Sequence, residues 1–340
     1  MSFSGKRILF ISASFFSYEK AIIQLLEKLG ASVDFFDERP SNSVFSKGII
    51  RVNRKFYQQK INQYYQSISE KTTGEKYDFF LLIKGESVPE KFLENFKNQH
   101  SETQMIFYLY DSVKEYPRFL DLLPYFDKKI TFEPSDAKKY QLQFRPLFFI
   151  DDYVSESKKE NLKYDLVFIG SAHTDRFLVG EKVEEKARIL GFKTLMYYFA
   201  PSKTALKLRQ IFDKNLQKIN LKKVTFKNLT HLEISKIYSE TKAVLDINKP
   251  FQFGLTMRTF ETLASEKKLI TTNPEIKNYP FYHPQNILVI DRNSVELEPS
   301  FFQSEFQKID EEDLYKMSLT SWLQEVFLLN DDSYWKKCLP

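Results

Sequence analysis

Residues 6–37, KRILFISASFFSYEKAIIQLLEKLGASVDFFD, decide the fold class. RILFIS is a short apolar run of the kind a parallel strand buried on both faces shows. YEKAIIQLLEKLG has apolar residues at helical spacing and is closed by Gly30. ASVDFFD follows at once as a second strand, so the chain opens on a β-α-β unit. Asp37 ends that strand, where a dinucleotide-binding fold grips a ribose. The turn between, SASFFS, has no glycine; the G-x-G-x-x-G pyrophosphate cradle is missing, and a nicotinamide-dependent oxidoreductase is disfavoured.

The alternation continues with YDFFLLIKG, PEKFLENFKNQ, QMIFYLYD, KKITFE and FRPLFFI, read as strand, helix, strand and two short extended pieces. A polar stretch without an apolar face, at about residues 151–163, reads as a linker. The pattern then restarts with DLVFIGS and runs through the helix EKVEEKARILG, the strands KTLMYYFA and KAVLDIN, the helix TMRTFETLASE, and the strands KLITTN and NILVID. This predicts an α/β protein of two Rossmann-like domains with a cleft between them. Ligands of open α/β sheets bind outside the carboxyl ends of the strands, so the cleft is the expected active site.

Composition agrees, since 340 residues suit two domains of about 150 each. The 33 Phe and 19 Tyr read mostly as core filling. No run approaches the roughly 18–20 apolar residues of a membrane span, and the N-terminus lacks a small-residue cleavage site, so a cytoplasmic protein is expected. The single Cys338 forms no internal disulfide, and His100, His173, His231 and His283 lack metal-ligand spacing. Net charge is +5, with eight Lys or Arg against Asp213 alone in residues 202–227; this points to an anionic surface more than to nucleic acid. Leu208, Ile211, Phe212 and Ile219 form a helical stripe there, which leaves two readings. The helix either lies on an anionic membrane or packs on the core with a solvated basic face.

The passage richest in chemistry is AVLDINKPFQFGLTMRTFETLASEKKLITTN, residues 243–273. A strand delivers Asp246 and Asn248, a loop turns at Gly254, and a helix starts near Leu255 or Thr256 with Arg258 and Glu261 on one face. Free N–H groups at such a start, with the Arg258 guanidinium, suit a diphosphate. Glu261 is placed to accept from a ribose diol. The plainer reading of the two residues is a surface ion pair worth under about 1 kcal/mol.

This passage resembles the donor-site segment of the spore-maturation-type glycosyltransferases, a GT-B group related to glycosyltransferase group 1. The likeness rests on Asn248, Gly254, and Arg-x-Phe-Glu at Arg258, Phe260 and Glu261, followed by KLITTN. YDLVFIGSAHTDRF is similar to the family's first C-domain strand and loop, with Gly170, Ser171 and Arg176 at the matching places. YDFFLLIKGE, IFYLYDSVKEYPRF and FDKKITFEPSDAKKYQLQFRPLFF extend it over nearly the whole chain. The wider superfamily's E-x7-E motif is broken: Phe253 stands eight before Glu261, which leaves the donor hexose without its usual carboxylate.

The resemblance implies a metal-independent glycosyltransferase with no cofactor, taking a nucleotide-sugar donor and a glycan or lipid-linked glycan acceptor of lipopolysaccharide or capsule type. It places the donor diphosphate at the helix start, Leu255, Thr256, Met257 and Arg258, and the ribose on Glu261. Gly170, Ser171, His173, Arg176, Asn248 and Gly254 complete the expected donor site. Arg258, Arg176 and Lys84 are candidates to stabilise the leaving group. Asp111, at the end of QMIFYLYD, is either the general base of an inverting enzyme or an N-cap. With Lys84 it marks the acceptor side. The expected domains are 1–155 for the acceptor and 156–315 for the donor, with 316–340 a final helix that crosses back to the first. A non-catalytic nucleotide- or glycan-binding protein on the same scaffold is the alternative.

Overall fold

The computed structural model describes residues 2–41, 57–154, 162–172, 175–212, 214–328 and 333–339. The chain divides into two compact units, Met1–Pro146 with Thr320–Pro340, and Leu147–Leu319.

The first unit is built on β1 (Arg7–Ser12), β2 (Ser32–Asp37), β3 (Phe79–Ile83), β4 (Gln104–Leu109), β5 (Lys128–Thr131) and β6 (Gln143–Phe144). They form one parallel sheet in the order β2-β1-β3-β4-β5-β6. Helices α1 (Tyr18–Lys28), α2 (Gln58–Thr72) and α3 (Glu90–Gln99) accompany it. All five residues of β3, FFLLI, are buried, as a strand covered on both faces requires. Phenylalanine fills much of this core: the Phe80 ring lies 4.9 Å from Phe96 and 6.0 Å from Phe126.

Thr320–Pro340 belongs to this unit through a fully buried ion pair, Arg145 Nε to Glu325 Oε2 at 3.0 Å. The Arg145 guanidinium also lies 5.0 Å from the Trp335 ring, and Trp322 packs 4.9 Å from Tyr108. The expected single C-terminal helix is instead broken into Glu311–Lys316, Leu319–Leu323 and a wider turn at Gln324–Leu328. The break has a long-range cause: Phe149 N–H donates to Met317 O at 3.0 Å, and Leu319 N–H donates to Phe149 O at 2.9 Å. Those bonds take the Met317 carbonyl and the Leu319 N–H out of a helical ladder, while the Met317 N–H still donates to Asp313 O at 3.1 Å.

The second unit carries β7 (Tyr164–Ser171), β8 (Thr194–Phe199), β9 (Val224–Thr225), β10 (Thr241–Asp246), β11 (Lys268–Thr271) and β12 (Ile287–Val289). Its parallel order, β12-β11-β10-β7-β8-β9, places two later strands on one side of β7 and three on the other, the doubly wound arrangement. The helices are α4 (Arg176–Ile189), α5 (Lys203–Phe212), α6 (His231–Ser239) and α7 (Met257–Ala264). A reciprocal capping box starts α6: Thr230 Oγ1 accepts from Glu233 N–H, and the Glu233 carboxylate accepts from Thr230 N–H.

The division between units falls at Leu147, ahead of the polar stretch read as the linker. Residues 147–153 are held in the second unit by the Phe149 bonds and by Ser265 Oγ, which donates to Tyr153 O at 3.0 Å. Asp37 does not wait for a ribose: Oδ2 accepts from the Ser14 N–H and hydroxyl, and Oδ1 from Arg39 N–H. It braces its own turn.

Packing leaves no room at Gly180 in α4, where an added Cβ would lie 2.1 Å from the Tyr198 hydroxyl oxygen. Helix propensity favours Gly→Ala by about 1 kcal/mol, whereas overpacking a core typically costs about 1–3 kcal/mol. The second effect wins because Tyr198 is fully buried. Gly180→Ala therefore lowers the urea midpoint, and adding Tyr198→Phe restores it, since the Tyr198 hydroxyl has no hydrogen-bond partner among the described residues. Equal losses in the presence and absence of Tyr198→Phe would refute the steric account.

Candidate functional site

The second sheet changes winding direction between β7 and β10, and the crevice outside the carboxyl ends of those strands is where such a sheet binds ligands. β10 delivers Asp246 to that edge with 1% of its surface exposed. Its Oδ2 accepts from the hydroxyls of Thr256 at 2.8 Å and Thr259 at 3.2 Å, and Arg258 Nη1 stands 3.7 Å from Oδ1. The Thr256 hydroxyl is thus turned to Asp246 and makes no side-chain cap on α7, although Thr256 is the N-cap residue. The first N–H groups of the helix keep their capacity to bind an anion.

Three guanidiniums gather at this edge. Arg258 lies 5.9 Å over the Phe168 ring, and its Nε is buried without a hydrogen-bond partner among the described residues. Arg176, at the start of α4, donates from Nε to Ile247 O at 2.7 Å and so spans from β7 to β10. Burial first, then the like charge of Arg258, pushes Arg176 down to about 10, still a cation at neutral pH. Arg292, just past β12, donates to Asp175 Oδ2 at 2.7 Å and to Asn248 Oδ1 at 2.8 Å. Burial disfavours the Arg258 cation, but Tyr238, Asp246 and Glu261 more than offset it.

The sequence had singled out Arg176 and Arg258 but missed Arg292. Its signal was the one used for Lys84 and Asp111, a charged residue just beyond the end of an apolar strand, NILVIDR.

The other expected residues divide by what they touch. Asn248 is buried and braces the loop: its Nδ2 donates to Gln252 O at 2.7 Å, and its Oδ1 accepts from Thr272 Oγ1 at 2.7 Å as well as from Arg292. The Gly254 carbonyl accepts from Gln252 Nε2 at 2.9 Å, and Leu255 is buried beside it. Met257 is half-buried in the first turn. Gly170 has a steric reason on its own strand, because an added Cβ would meet Phe168 Cζ at 2.7 Å, the ring under Arg258. Ser171 ends β7, and His173 lies outside the described residues. Glu261 is 3% exposed. Burial, and after it the Glu261 carboxylate, pushes the Tyr153 phenol far up, while the Tyr153 hydroxyl lies 2.9 Å from His231 Nδ1. Glu261 thus belongs to a buried polar group with Tyr153 and Tyr238, in addition to facing Arg258. Neither tyrosine was anticipated.

In the first unit, the winding reverses between β1 and β3, and the strand ends there hold a charged network. Lys84 Nζ pairs with Asp111 Oδ2 at 3.0 Å, stands 3.6 Å from Glu86 and lies 4.9 Å over the Tyr116 ring. Burial opposes this cation, yet Asp111, Tyr116 and Glu86 more than offset it, so Lys84 stays charged. Its backbone is left-handed, φ 78°, and Gly85 follows at φ 79°. Non-glycine residues held there store strain of about 1–3 kcal/mol, typically beside functional groups. Ser112 Oγ accepts from Glu115 N–H at 3.3 Å, a capping bond of the kind weighed for Asp111.

No family model matches the chain, and no curated protein sequence does. Solved structures do. Sucrose-phosphate synthase from Thermosynechococcus elongatus is 12% identical with a TM-score of 0.57, covering 98% of this chain and 96% of that one. A glycosyltransferase from Rickettsia africae is 13% identical with a TM-score of 0.54, covering 98% of both. Anabaena HepE, crystallised with UDP-glucose, is 10% identical with a TM-score of 0.56, covering 94% and 98%. The fold is GT-B. At these identities the likeness is one of architecture, and it embraces both units of the GT-B chain. Among the described residues of this GT-B protein no cluster of three His, Cys, Asp or Glu could hold a metal, and no helix is long and apolar enough to cross a membrane.

The Lys84 network also contains Glu38, fully buried, with Oε2 accepting Glu86 N–H at 2.8 Å and Oε1 3.4 Å from Arg39. Burial raises Glu38 to about 7, although Arg39 and Lys84 pull the other way. A carboxyl raised above its unfolded value gives stability that is full below the unfolded value and is lost as pH rises through the folded one. Unfolding free energy should accordingly fall between about pH 4.5 and 7, and Glu38→Gln should flatten that decline. Parallel pH profiles for the two proteins would exclude Glu38 as the group responsible.

Proposed function

We propose that this chain is a glycosyltransferase that moves a sugar from a nucleotide-diphosphate donor to a hydroxyl of a growing surface glycan. The observation that carries the reading is the convergence of Arg176, Arg258 and Arg292 on the β7–β10 edge, beside the uncapped start of α7. Like charges gathered at a buried edge repel, and a diphosphate relieves that repulsion while accepting the free N–H groups. The UDP-glucose complex of Anabaena HepE, on the same fold, supports a nucleotide-sugar as the donor.

In glycosyl transfer the anomeric C–O bond breaks through an oxocarbenium-like state while negative charge builds on the departing diphosphate. Arg258, over the Phe168 ring and fixed by Asp246, is the residue assigned to that charge, with Arg176 and Arg292 beside it. The Leu255–Met257 turn seats the phosphates. Glu261 is assigned to the ribose through the family resemblance. On the acceptor side, Asp111 takes the proton of the incoming hydroxyl, with the Lys84 ammonium, 3.0 Å from Oδ2, orienting its carboxylate. The lipopolysaccharide or capsule class of acceptor, and the assignment of the first unit to it, rest on the resemblance.

Thermal stabilisation by UDP, ADP, GDP and inorganic pyrophosphate tests the donor site, since a ligand raises stability by RT ln(1 + [L]/Kd). Arg258→Ala and Arg292→Ala should each weaken nucleoside diphosphate binding by about 1.5–3 kcal/mol, ten- to a hundredfold. Glu261→Gln should weaken nucleotides but not pyrophosphate; a fall in stability alone would mean that Glu261 serves only the tyrosines. No stabilisation by any of the four would defeat the transferase reading, and binding without donor turnover would leave a non-catalytic binding protein.

A further inference from the structure

Helix α5 turns apolar side chains away from the core. Leu206 is buried among the residues around α4 and β8, whereas Leu208 and Ile211 are 60% and 66% exposed. At 100° per residue, Leu208 and Ile211 share the face opposite Leu206. The periodicity had left two readings of the stripe Leu208, Ile211, Phe212 and Ile219, and the structure divides it: Leu208 and Ile211 face water, Ile219 packs inward with Leu206 and Leu216, and the Phe212 side chain lies outside those described.

Among the described side chains of residues 203–222, every charged group is a lysine. Lys223 is matched to Glu181 and Glu184, and Lys227 to Glu233. Lys203, Lys207, Lys218 and Lys222 are exposed and make no ion pair with another described residue. The exposed Phe226 lies at the same sheet edge, one residue past β9, where Ala200 N–H donates to Thr225 O at 2.9 Å just before the chain enters α5.

We propose that α5 docks on an anionic lipid surface, with Leu208 and Ile211 entering the acyl boundary and the lysines meeting headgroup phosphates. Lysine ammoniums on flexible stems suit mobile, shapeless headgroup charge, and their stems can lie along the apolar boundary while the charges stay in water. Two apolar side chains on one convex helix offer no groove for a partner helix or strand, which favours lipid over an acidic protein. This inference is independent of glycosyl transfer, because docking is measured without donor or acceptor.

The test is co-sedimentation of the full chain with vesicles of phosphatidylcholine alone or mixed with phosphatidylglycerol. Binding should require phosphatidylglycerol and weaken with added salt. Leu208→Ser/Ile211→Ser and Lys203→Glu/Lys207→Glu should each reduce it about tenfold, with unchanged unfolding midpoints because the side chains are exposed. Equal binding to both vesicle types, wild-type binding by either double variant, or a lowered midpoint in the Leu208/Ile211 variant would overturn the proposal.

Discussion

A single carboxylate sets the geometry of the second unit's ligand edge. Asp246 arrives at the end of a fully buried stretch of β10, where an ionised group without partners would be strongly destabilising. Its partners, the donating hydroxyls of Thr256 and Thr259 and the Arg258 cation 3.7 Å away, all come from the cap and first turn of α7. The bonds that compensate for its lost hydration are therefore the bonds that fix where α7 begins. The same demand turns the Thr256 hydroxyl away from the helix start and holds Arg258 against Phe168. Arg176 and Arg292 are tied to the next two residues, Ile247 and Asn248, so the whole cationic edge is referenced to one strand end.

Much of the fold could be read from the chain because its causes are local. Short apolar runs such as FFLLI, each followed by a helical pattern, need no distant information to be recognised as parallel strands with crossovers. Arg258 and Glu261 were visible for the same reason, being three apart on one helix. What escaped notice depends on distant residues. Arg292 lies far along the chain from Arg258 and joins it only because β12 and β10 end at the same sheet edge. The break between Met317 and Leu319 is made by Phe149, and no periodicity within 314–329 could show it. Residues 203–212 failed differently: helical spacing reveals an apolar face but not which apolar face is covered, and here Leu206, not Leu208 or Ile211, is the buried one. Asp37 shows that a carboxylate at a strand end can satisfy its own turn as readily as a ligand.

The two units handle charge in opposite ways. At the end of β10, Arg176, Arg258 and Arg292 gather about Asp246, Asp175 and Glu261, and the Arg258 Nε is left without a hydrogen-bond partner among the described residues. At the end of β3, Lys84 is surrounded by Asp111, Glu86 and Glu38, and Arg39 answers Glu38 and Glu86. The first arrangement is built from guanidiniums with one donor left over, the second from an ammonium enclosed by carboxylates.

The placement of Thr320–Pro340 with the first unit has a consequence for the order in which the molecule comes into being. The second unit is one uninterrupted stretch, Leu147–Leu319, and has all its strands as soon as that stretch has left the ribosome. The first unit is begun earlier but must wait for Trp322, Glu325 and Phe327. Until they arrive, Arg145 lacks its counter-ion, and the ring faces of Tyr108, Phe3 and Phe79 lack their covers. The usual sequence of synthesis, in which the N-terminal domain folds first, is reversed here. The half that is made first is completed last: its sheet has all six strands by Phe144 but lacks those covers throughout translation of its neighbour.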